Sequence, residues 1–178
     1  KKSVGKVVEL ESAIAKDQPS ELLGVGIAHT RWATHGAPSL KNAHPHKSAD
    51  GKIWIVHNGI IENYLEIKNE LIKNGIEFEG DTDTEVVAKL LGSVYNGDLR
   101  SAVQDTVDRL TGAYALCVLS SDEPDRLVAV KYASPLLVGV GEGEIIVASD
   151  ASALIDRTKK VIYLEDGELI DIRGDDYE

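Results

Sequence analysis

The sequence contains one cysteine, no methionine, one phenylalanine and no long apolar run. Because the lone cysteine, Cys117, cannot form an internal disulfide, we expect a reducing, cytoplasmic environment. No apolar run approaches the roughly 20 residues that a membrane-spanning helix needs, so no membrane partner is expected. The basic residues that open the chain are not followed by an apolar segment, which argues against a signal peptide.

Basic residues are also in short supply. The 178 residues carry 19 Lys and Arg against 30 Asp and Glu, a net charge of -11. A protein with this balance lacks the basic face that binds a nucleic-acid backbone, so no nucleic-acid partner is expected. The 43% hydrophobic and 28% charged residues are typical of a soluble globular protein, and the length suits one domain with a substantial core.

Two strands and a long loop are predicted in the first third of the chain. Alternation of apolar with small or polar residues predicts strands over residues 25–30 and 52–57. Residues 33–51, which lie between them, are rich in Gly, Pro, His, Asn and Ser and indicate a loop. A loop of this length in a compact domain is often functional.

Four helices are also predicted, two of them from local start signals. Asn63 is a candidate N-cap for a helix whose apolar face includes Ile72. Thr82 and Glu85 form a capping box at the start of the next helix. The predicted helices cover residues 7–15, 64–73, 82–94 and 99–110.

The second half of the chain reads as a series of short strands. Most of the gaps between them are too short for a crossover helix, which favours antiparallel pairing. Asp166-Gly167 is a hairpin signal. Consecutive helices between two sets of strands indicate an α+β fold, with helices packed outside the sheets. The predicted strands cover residues 113–120, 126–132, 136–141, 144–148, 161–164 and 168–172.

Two charged residues lie where they could hold a free amino acid. Arg31 follows the predicted strand 25–30, and an arginine there can bind a carboxylate through two hydrogen bonds. Asp83 lies within the capping box and could pair with an ammonium group. The alternatives are a surface cation at Arg31 and, at Asp83, a first-turn carboxylate that interacts with the helix dipole.

The dipeptide Asn58-Gly59 follows the predicted strand 52–57. The Asn amide and the Gly N–H could form an oxyanion hole, whose donors stabilise the transition state of acyl transfer. The alternative is an ordinary Asn-Gly turn.

The histidines and the cysteine are further candidates for a chemical role. All five histidines lie between residues 29 and 57, and His44 and His46 are close in sequence. No cysteine is nearby and no helical pair of histidines is spaced for a metal, so we expect loop-stabilising hydrogen bonds and neither a metal nor a cofactor. Cys117 lies in an apolar strand, where cysteine behaves as a small hydrophobic residue rather than a nucleophile.

Four segments carry a resemblance to a known family. They closely resemble the glutaminase domains of the glutamine–fructose-6-phosphate aminotransferase (isomerizing) family, which are class II glutamine amidotransferases. The resemblance covers nearly the whole chain, and residues 110–115 and 148–150 fit the same pattern. The four segments are residues 26–36 (GIAHTRWATHG), 42–46 (NAHPH), 56–63 (VHNGIIEN) and 82–85 (TDTE).

The resemblance implies an N-terminal-nucleophile hydrolase fold, an αββα sandwich of two antiparallel sheets between helix layers. It implies hydrolysis of the glutamine side-chain amide to glutamate and ammonia, which would pass to a sugar isomerase domain of the same polypeptide. The full enzyme is expected to be a homo-oligomer. Glutamine or glutamate is therefore the expected ligand of this chain.

The resemblance also assigns roles to residues. Arg31 matches the residue that holds the glutamine α-carboxylate, and Asp83 matches the carboxylate that binds the α-ammonium. Asn58 and Gly59 match the oxyanion hole. The loop that closes over glutamine includes Trp32, Thr34 and His35.

One departure from the family concerns the nucleophile, which is a cysteine at the mature N-terminus that uses its own α-amine as base. This sequence begins with Lys1, and nothing before Gly26 resembles the opening segment of the family. We therefore expect residues 1–178 to be a glutaminase domain that is incomplete at its N-terminus and inactive alone, without the isomerase domain. The alternatives are a glutamine- or glutamate-binding module without a nucleophile, or the glutaminase domain of another class II amidotransferase.

Overall fold

Two antiparallel sheets form the centre of the molecule in a computed structural model that describes residues 1–17, 24–31 and 36–178. The larger sheet has the strand order β1-β2-β3-β4-β8-β9, and the smaller sheet has the order β6-β5-β7. All ladders between named strands are antiparallel, as predicted. The strands are β1 (His46–Lys47), β2 (Ile53–Ile61), β3 (Gly112–Ser120), β4 (Glu123–Tyr132), β5 (Leu137–Val140), β6 (Ile145–Ala148), β7 (Val161–Tyr163), β8 (Leu169–Arg173) and β9 (Asp176–Tyr177).

Two helices, over residues 83–94 and 99–107, cover one face of the larger sheet. The described helices are α1 (Val7–Asp17), α2 (Tyr64–Lys73), α3 (Asp83–Val94) and α4 (Leu99–Val107), with a 3-10 turn at Ala151–Ala153. Because side chains alternate along a strand, Leu116 and Val118 of β3 point toward the helices. There they pack in one apolar cluster with side chains of α3 and α4, among them Val87, Leu91 and Val103.

The opposite face of the larger sheet packs on the smaller sheet. Ala115 and Leu127 contact Val138 of β5 in a second apolar cluster. On the outer side of the smaller sheet, the fully buried Leu154 lies against Gly139. The 3-10 turn that precedes Leu154 therefore supplies the covering layer on this side, and the architecture is α+β as expected.

Half of the predicted capping box of α3 forms, because Thr82 caps the helix but the Glu85 carboxylate binds the preceding loop and not the Thr82 N–H. The Thr82 hydroxyl accepts a hydrogen bond from the Glu85 N–H at 3.1 Å. The Glu85 carboxylate accepts from the N–H groups of Glu79 and Gly80, at 2.8 and 2.7 Å, and so fastens the loop that leads into the helix.

The N-cap prediction for α2 is wrong. Asn63 occupies the cap position but makes no capping hydrogen bond. Its amide instead bridges the Arg109 carbonyl and the Thr111 N–H, at 2.8 and 3.0 Å, because the end of α4 packs beside it. Ile72, which was expected on the buried face, is 51% exposed.

A buried arginine joins the start of α4 to the larger sheet. The Arg126 guanidinium binds the Asp171 carboxylate through Nε (2.8 Å) and Nη2. Its Nη1 contacts Asp98, which caps α4, at 2.6 Å, and also Glu123. Removing one partner of a buried pair typically costs about 3–5 kcal/mol, so this group holds α4, β4 and β8 together.

Three strand predictions are wrong, because the strands that form depend on hydrogen-bonded partners distant in sequence. Residues 24–31 form no strand and have no ladder partner in the described part of the chain. Strand β2 does not end at His57 but continues to Ile61, because it pairs with β3 over nine residues. Asp166-Gly167 lies in a tight turn, but the strands on either side, β7 and β8, belong to different sheets, so it is not a hairpin.

Candidate functional site

A cavity of about 310 Å³ lies where three elements meet. Its walls come from residues 29–31, residues 57–60 of β2, residues 82–84 at the start of α3, and His44. The four candidate residues within the described ranges are brought together here, namely Arg31, Asn58, Gly59 and Asp83. Trp32, Thr34 and His35 lie outside the described residues.

Asp83 is held rigidly at the cavity wall. Asp83 is only 3% exposed. One carboxylate oxygen accepts the Ile61 N–H at 3.0 Å, and the other accepts the Thr84 N–H at 2.9 Å. The first turn of α3 adds the positive end of the helix dipole. Each oxygen retains a second lone pair, so the fixed carboxylate can still accept from a cation in the cavity.

Arg31 supplies the positive charge of the site. The half-buried guanidinium donates from Nη2 to the Gly36 carbonyl at 2.9 Å. This contact ties the residue to the chain that follows it. The planar fork of an arginine matches the geometry of a carboxylate better than an ammonium does.

Asn58 and Gly59 lie inside β2 rather than in a turn after it. The Asn58 Oδ1 forms a 2.7 Å hydrogen bond with Nε2 of His29. Gly59 has φ +127°, and a Cβ built on it would lie 2.0 Å from the Ala113 carbonyl oxygen of β3. Only glycine fits at that point. The close approach of β2 and β3 at the cavity therefore requires glycine at position 59.

Four histidines form a polar cluster at the cavity, and three of them, His29, His44 and His57, line its wall. The rings of His29 and His44 are stacked with their centroids 4.0 Å apart, and His46 meets His44 edge-on at 5.1 Å. Nδ1 of His44 accepts the His57 backbone N–H at 3.3 Å. The cluster stabilises the loop through hydrogen bonds and ring contacts.

His29, His44 and His46 are neutral near physiological pH because burial disfavours their charged form. Burial lowers the pKa of His44 to about 2, with a further contribution from the neighbouring histidines and Arg31. Burial lowers the pKa of His46 to about 4 and also lowers the pKa of His29. Within the described residues, no group of three or more His, Cys, Asp or Glu side chains is arranged to hold a metal ion.

Asn42 was not singled out from the sequence. Its side chain is almost fully buried and connects the two sides of the cavity. Nδ2 donates to the Ala37 carbonyl at 3.0 Å, and Oδ1 accepts the Asp81 N–H at 2.9 Å. The loop after Arg31 is thereby fixed to the segment before Asp83. Only the position of Asn42 within the NAHPH segment hinted at such a role.

Cys117 does not line this cavity. It is half-buried at a larger gap of about 570 Å³ between the two sheets, together with Val56, Leu127 and residues 24–28. Burial raises the pKa of the thiol to about 12. A thiol in this state is a poor nucleophile, as the sequence indicated.

Among the described helices, none has the length and apolar character needed to cross a bilayer.

Comparisons with known proteins agree with this geometry. A family model described as a glutamine amidotransferase domain matches residues 29–156. The chain is 52% identical over 175 residues to a glutamine–fructose-6-phosphate aminotransferase [isomerizing] of Aquifex aeolicus, covering 98% of this chain. It is 49% identical over 182 residues to the protein of that name from Corynebacterium glutamicum, covering 99% of this chain. The chain spans 29% of the length of each of these relatives.

A solved structure shares the fold. It is a glutamine phosphoribosylpyrophosphate amidotransferase from B. subtilis, complexed with ADP and GMP. The two structures align with a TM-score of 0.70 and 25% identity, over 84% of this chain and 33% of the other. This likeness confirms the expected N-terminal-nucleophile type of fold.

Proposed function

The chain belongs to the glutamine amidotransferase domain family, and on that premise we propose that its cavity binds glutamine by both ends of the amino acid. The Arg31 guanidinium binds the α-carboxylate and the Asp83 carboxylate binds the α-ammonium. The observation that carries this proposal is the placement of both residues, with Asn58 and Gly59, around one cavity. A zwitterionic ligand neutralises both charges, which a buried site requires.

The reaction proposed for the polypeptide is hydrolysis of the glutamine side-chain amide. Attack on the amide carbon places negative charge on its oxygen, and the Asn58 amide and the Gly59 N–H donate to that oxygen. Donors of this kind contribute on the order of 3–4 kcal/mol each to transition-state stabilisation. Departure of ammonia and hydrolysis of the acyl intermediate give glutamate.

The nucleophile is expected to be an N-terminal cysteine, as the family resemblance implies. The only thiol in the 178 residues is Cys117, which does not line this cavity. The chain by itself is therefore expected to bind glutamine without turning it over at an enzyme's rate. In the whole polypeptide, the ammonia would serve amination of fructose 6-phosphate by a linked sugar isomerase domain, in a cytoplasmic homo-oligomer.

Titration of the chain with glutamine and two truncated analogues tests the binding mode. The analogue 4-carbamoylbutanoate lacks the α-ammonium, and 4-aminobutanamide lacks the α-carboxylate. Asp83→Asn should weaken glutamine binding by about 1.5–3 kcal/mol, the scale of a hydrogen bond to a charged group. The same substitution should leave binding of 4-carbamoylbutanoate unchanged. Asp81→Asn, at an exposed carboxylate two residues away, is the matched control.

Two results would decide against parts of the proposal. Equal affinity of wild type and Asp83→Asn for glutamine would remove Asp83 from the site. A full-length polypeptide that binds glutamine but releases no ammonia would instead be a binding module, the alternative that the sequence left open.

A further inference from the structure

The side-chain amide of Asn58 can take two orientations, and only one of them suits an oxyanion. Its oxygen and nitrogen differ by a rotation of 180°. With the nitrogen toward the cavity, the amide donates to negative charge. With the oxygen toward the cavity, it repels that charge. A neighbour that hydrogen-bonds one end of the amide therefore decides what the other end offers to the cavity.

His29 is that neighbour. Its Nε2 lies 2.7 Å from Oδ1 of Asn58, a short contact for a neutral pair. A ring nitrogen that carries a proton donates to Oδ1 and leaves the amide nitrogen on the other side. A ring nitrogen without a proton would accept from the amide instead and turn its oxygen outward.

The His29 ring is held in place by its surroundings. It stacks on His44, with 4.0 Å between ring centroids and 20° between planes. His44 is itself fixed, since its Nδ1 accepts the backbone N–H of His57, the residue immediately before Asn58. The backbone of β2 at His57 thus holds His44, which stacks on His29, and His29 in turn contacts Asn58, the next residue of β2.

Burial keeps His29 uncharged. Arg31 is the nearby cation, and His44 and His57 are the other titratable residues around it. Burial lowers the pKa of His29, against the opposing effect of its hydrogen bond to Asn58. A neutral ring must place its single proton on one nitrogen, so the tautomer determines the orientation of the amide.

We propose that His29 is a positioning residue that donates from Nε2 to Asn58 and so turns the Asn58 amide nitrogen toward the cavity. This inference rests on the proposed function, because it concerns the donor that stabilises the oxyanion. His29 acts through Asn58 and does not contact the reacting atoms. It therefore affects the transition state, where charge develops on the amide oxygen, more than the ground state.

Steady-state glutaminase kinetics of the natural full-length polypeptide test the role of His29. His29→Phe keeps a flat ring against His44 but removes the donor. We expect kcat to fall about 10- to 100-fold, approaching the 10²–10³-fold loss seen when an oxyanion donor is removed. KM should stay within about threefold, because glutamine is bound by its charged ends. His29→Gln, whose amide N–H reaches nearly as far as Nε2, should recover most of kcat.

A purely structural role predicts a different pattern. If the ring only supported the cavity wall, both variants would raise KM and lower kcat together. His29→Gln would then not recover the kcat lost in His29→Phe. That pattern, or an unchanged kcat in His29→Phe, would overturn the inference. Thermal unfolding of each variant shows whether it is folded before its kinetics are compared.

Nitrogen NMR of the wild-type chain supplies a test that needs no variant. Histidine ring ¹⁵N shifts report the tautomer, and we expect a protonated Nε2 and an unprotonated Nδ1 at His29. The opposite tautomer would overturn the inference whatever the kinetics show. Absence of any ammonia release by the wild-type polypeptide would count against the proposed function, while the tautomer would still decide the His29–Asn58 contact.

Discussion

Replacing Gly59 by alanine should disrupt the centre of the larger sheet. The residue has φ +127°, a conformation that side chains other than glycine rarely adopt. An added Cβ would lie 2.0 Å from the carbonyl oxygen and 2.7 Å from the carbonyl carbon of Ala113. Both are backbone atoms of the paired strand, so β2 and β3 would have to separate locally by about 1.4 Å to restore an ordinary contact of about 3.4 Å.

Gly97→Ala is a matched control for the free-energy cost of placing an alanine at a positive φ. Gly97 has φ +105°, and a Cβ built on it meets nothing within 4 Å. Unfavourable backbone conformations cost about 1–3 kcal/mol, and both alanine variants incur that cost. Only the variant at Gly59 also overpacks the structure, which typically costs about 1–3 kcal/mol. We expect its clash to fall at the upper end, because no side-chain rotation relieves it.

Urea unfolding at pH 7.5 provides the measurement, with fluorescence of Trp54 in β2 as one of the reporters. The free energy of unfolding should fall at least about 2 kcal/mol further in Gly59→Ala than in Gly97→Ala. If the two variants agreed within about 0.5 kcal/mol, the proximity of β2 and β3 at this point would be refuted. Loss of glutamine binding in Gly59→Ala at temperatures where it remains folded would connect the same close approach to the cavity.

Three further predictions concern buried groups. The pKa values of His44 and His46, about 2 and about 4, lie below the ordinary value of about 6.5. The unfolded chain therefore binds more protons between pH 6.5 and 4, and the free energy of unfolding should fall by about 2 kcal/mol or more between pH 7.5 and 5 in urea titrations. Cys117 should react with a thiol reagent at pH 8 at least about tenfold more slowly than a free thiol, and normally after denaturation. Arg126→Met should lower the free energy of unfolding by about 3–5 kcal/mol, because it leaves the buried Asp171 with only a longer 3.8 Å contact to the exposed Arg173.

A specific result would contradict each of these predictions. Constant stability from pH 7.5 to 5 would mean that the histidines are not buried as described. Rapid labelling of the native thiol would place Cys117 at the surface. Lys52→Met breaks an exposed pair with Asp122 and should change stability little. An equal effect of this substitution and Arg126→Met would remove the special role of the buried pair.

Local signals in the sequence predicted local structure well. The Thr82 cap, which depends on residues only three positions apart, starts α3 as expected, whereas the Glu85 carboxylate binds the preceding loop. The strands of the second half were found because their apolar residues are continuous and each has a neighbour to pair with.

Features that depend on distant partners could not be read in the same way. The Asn58-Gly59 pair is a strong turn signal, yet pairing of β2 with β3 carries the strand through it. Residues 25–30 have a strand pattern, but a strand also requires a hydrogen-bonded neighbour. The bridging role of Asn42 and the support that His29 gives to Asn58 depend on contacts across 39 and 29 positions of the chain.

The placement of the smaller sheet has a consequence for how the chain is organised as a folding unit. Strands β4 and β8 are hydrogen-bonded neighbours, and all of β5, β6 and β7 lie between them in sequence. At the junction, the Gly167 N–H donates to the Lys131 carbonyl at 2.8 Å, so this excursion leaves and returns at almost one point. Its closure entropy grows only slowly with its length, and insertions at its tips should cost the larger sheet little. Changes of length at the tips of this excursion should therefore leave the cavity intact, because Asn58, Gly59 and Asp83 belong to the part of the chain that comes before it.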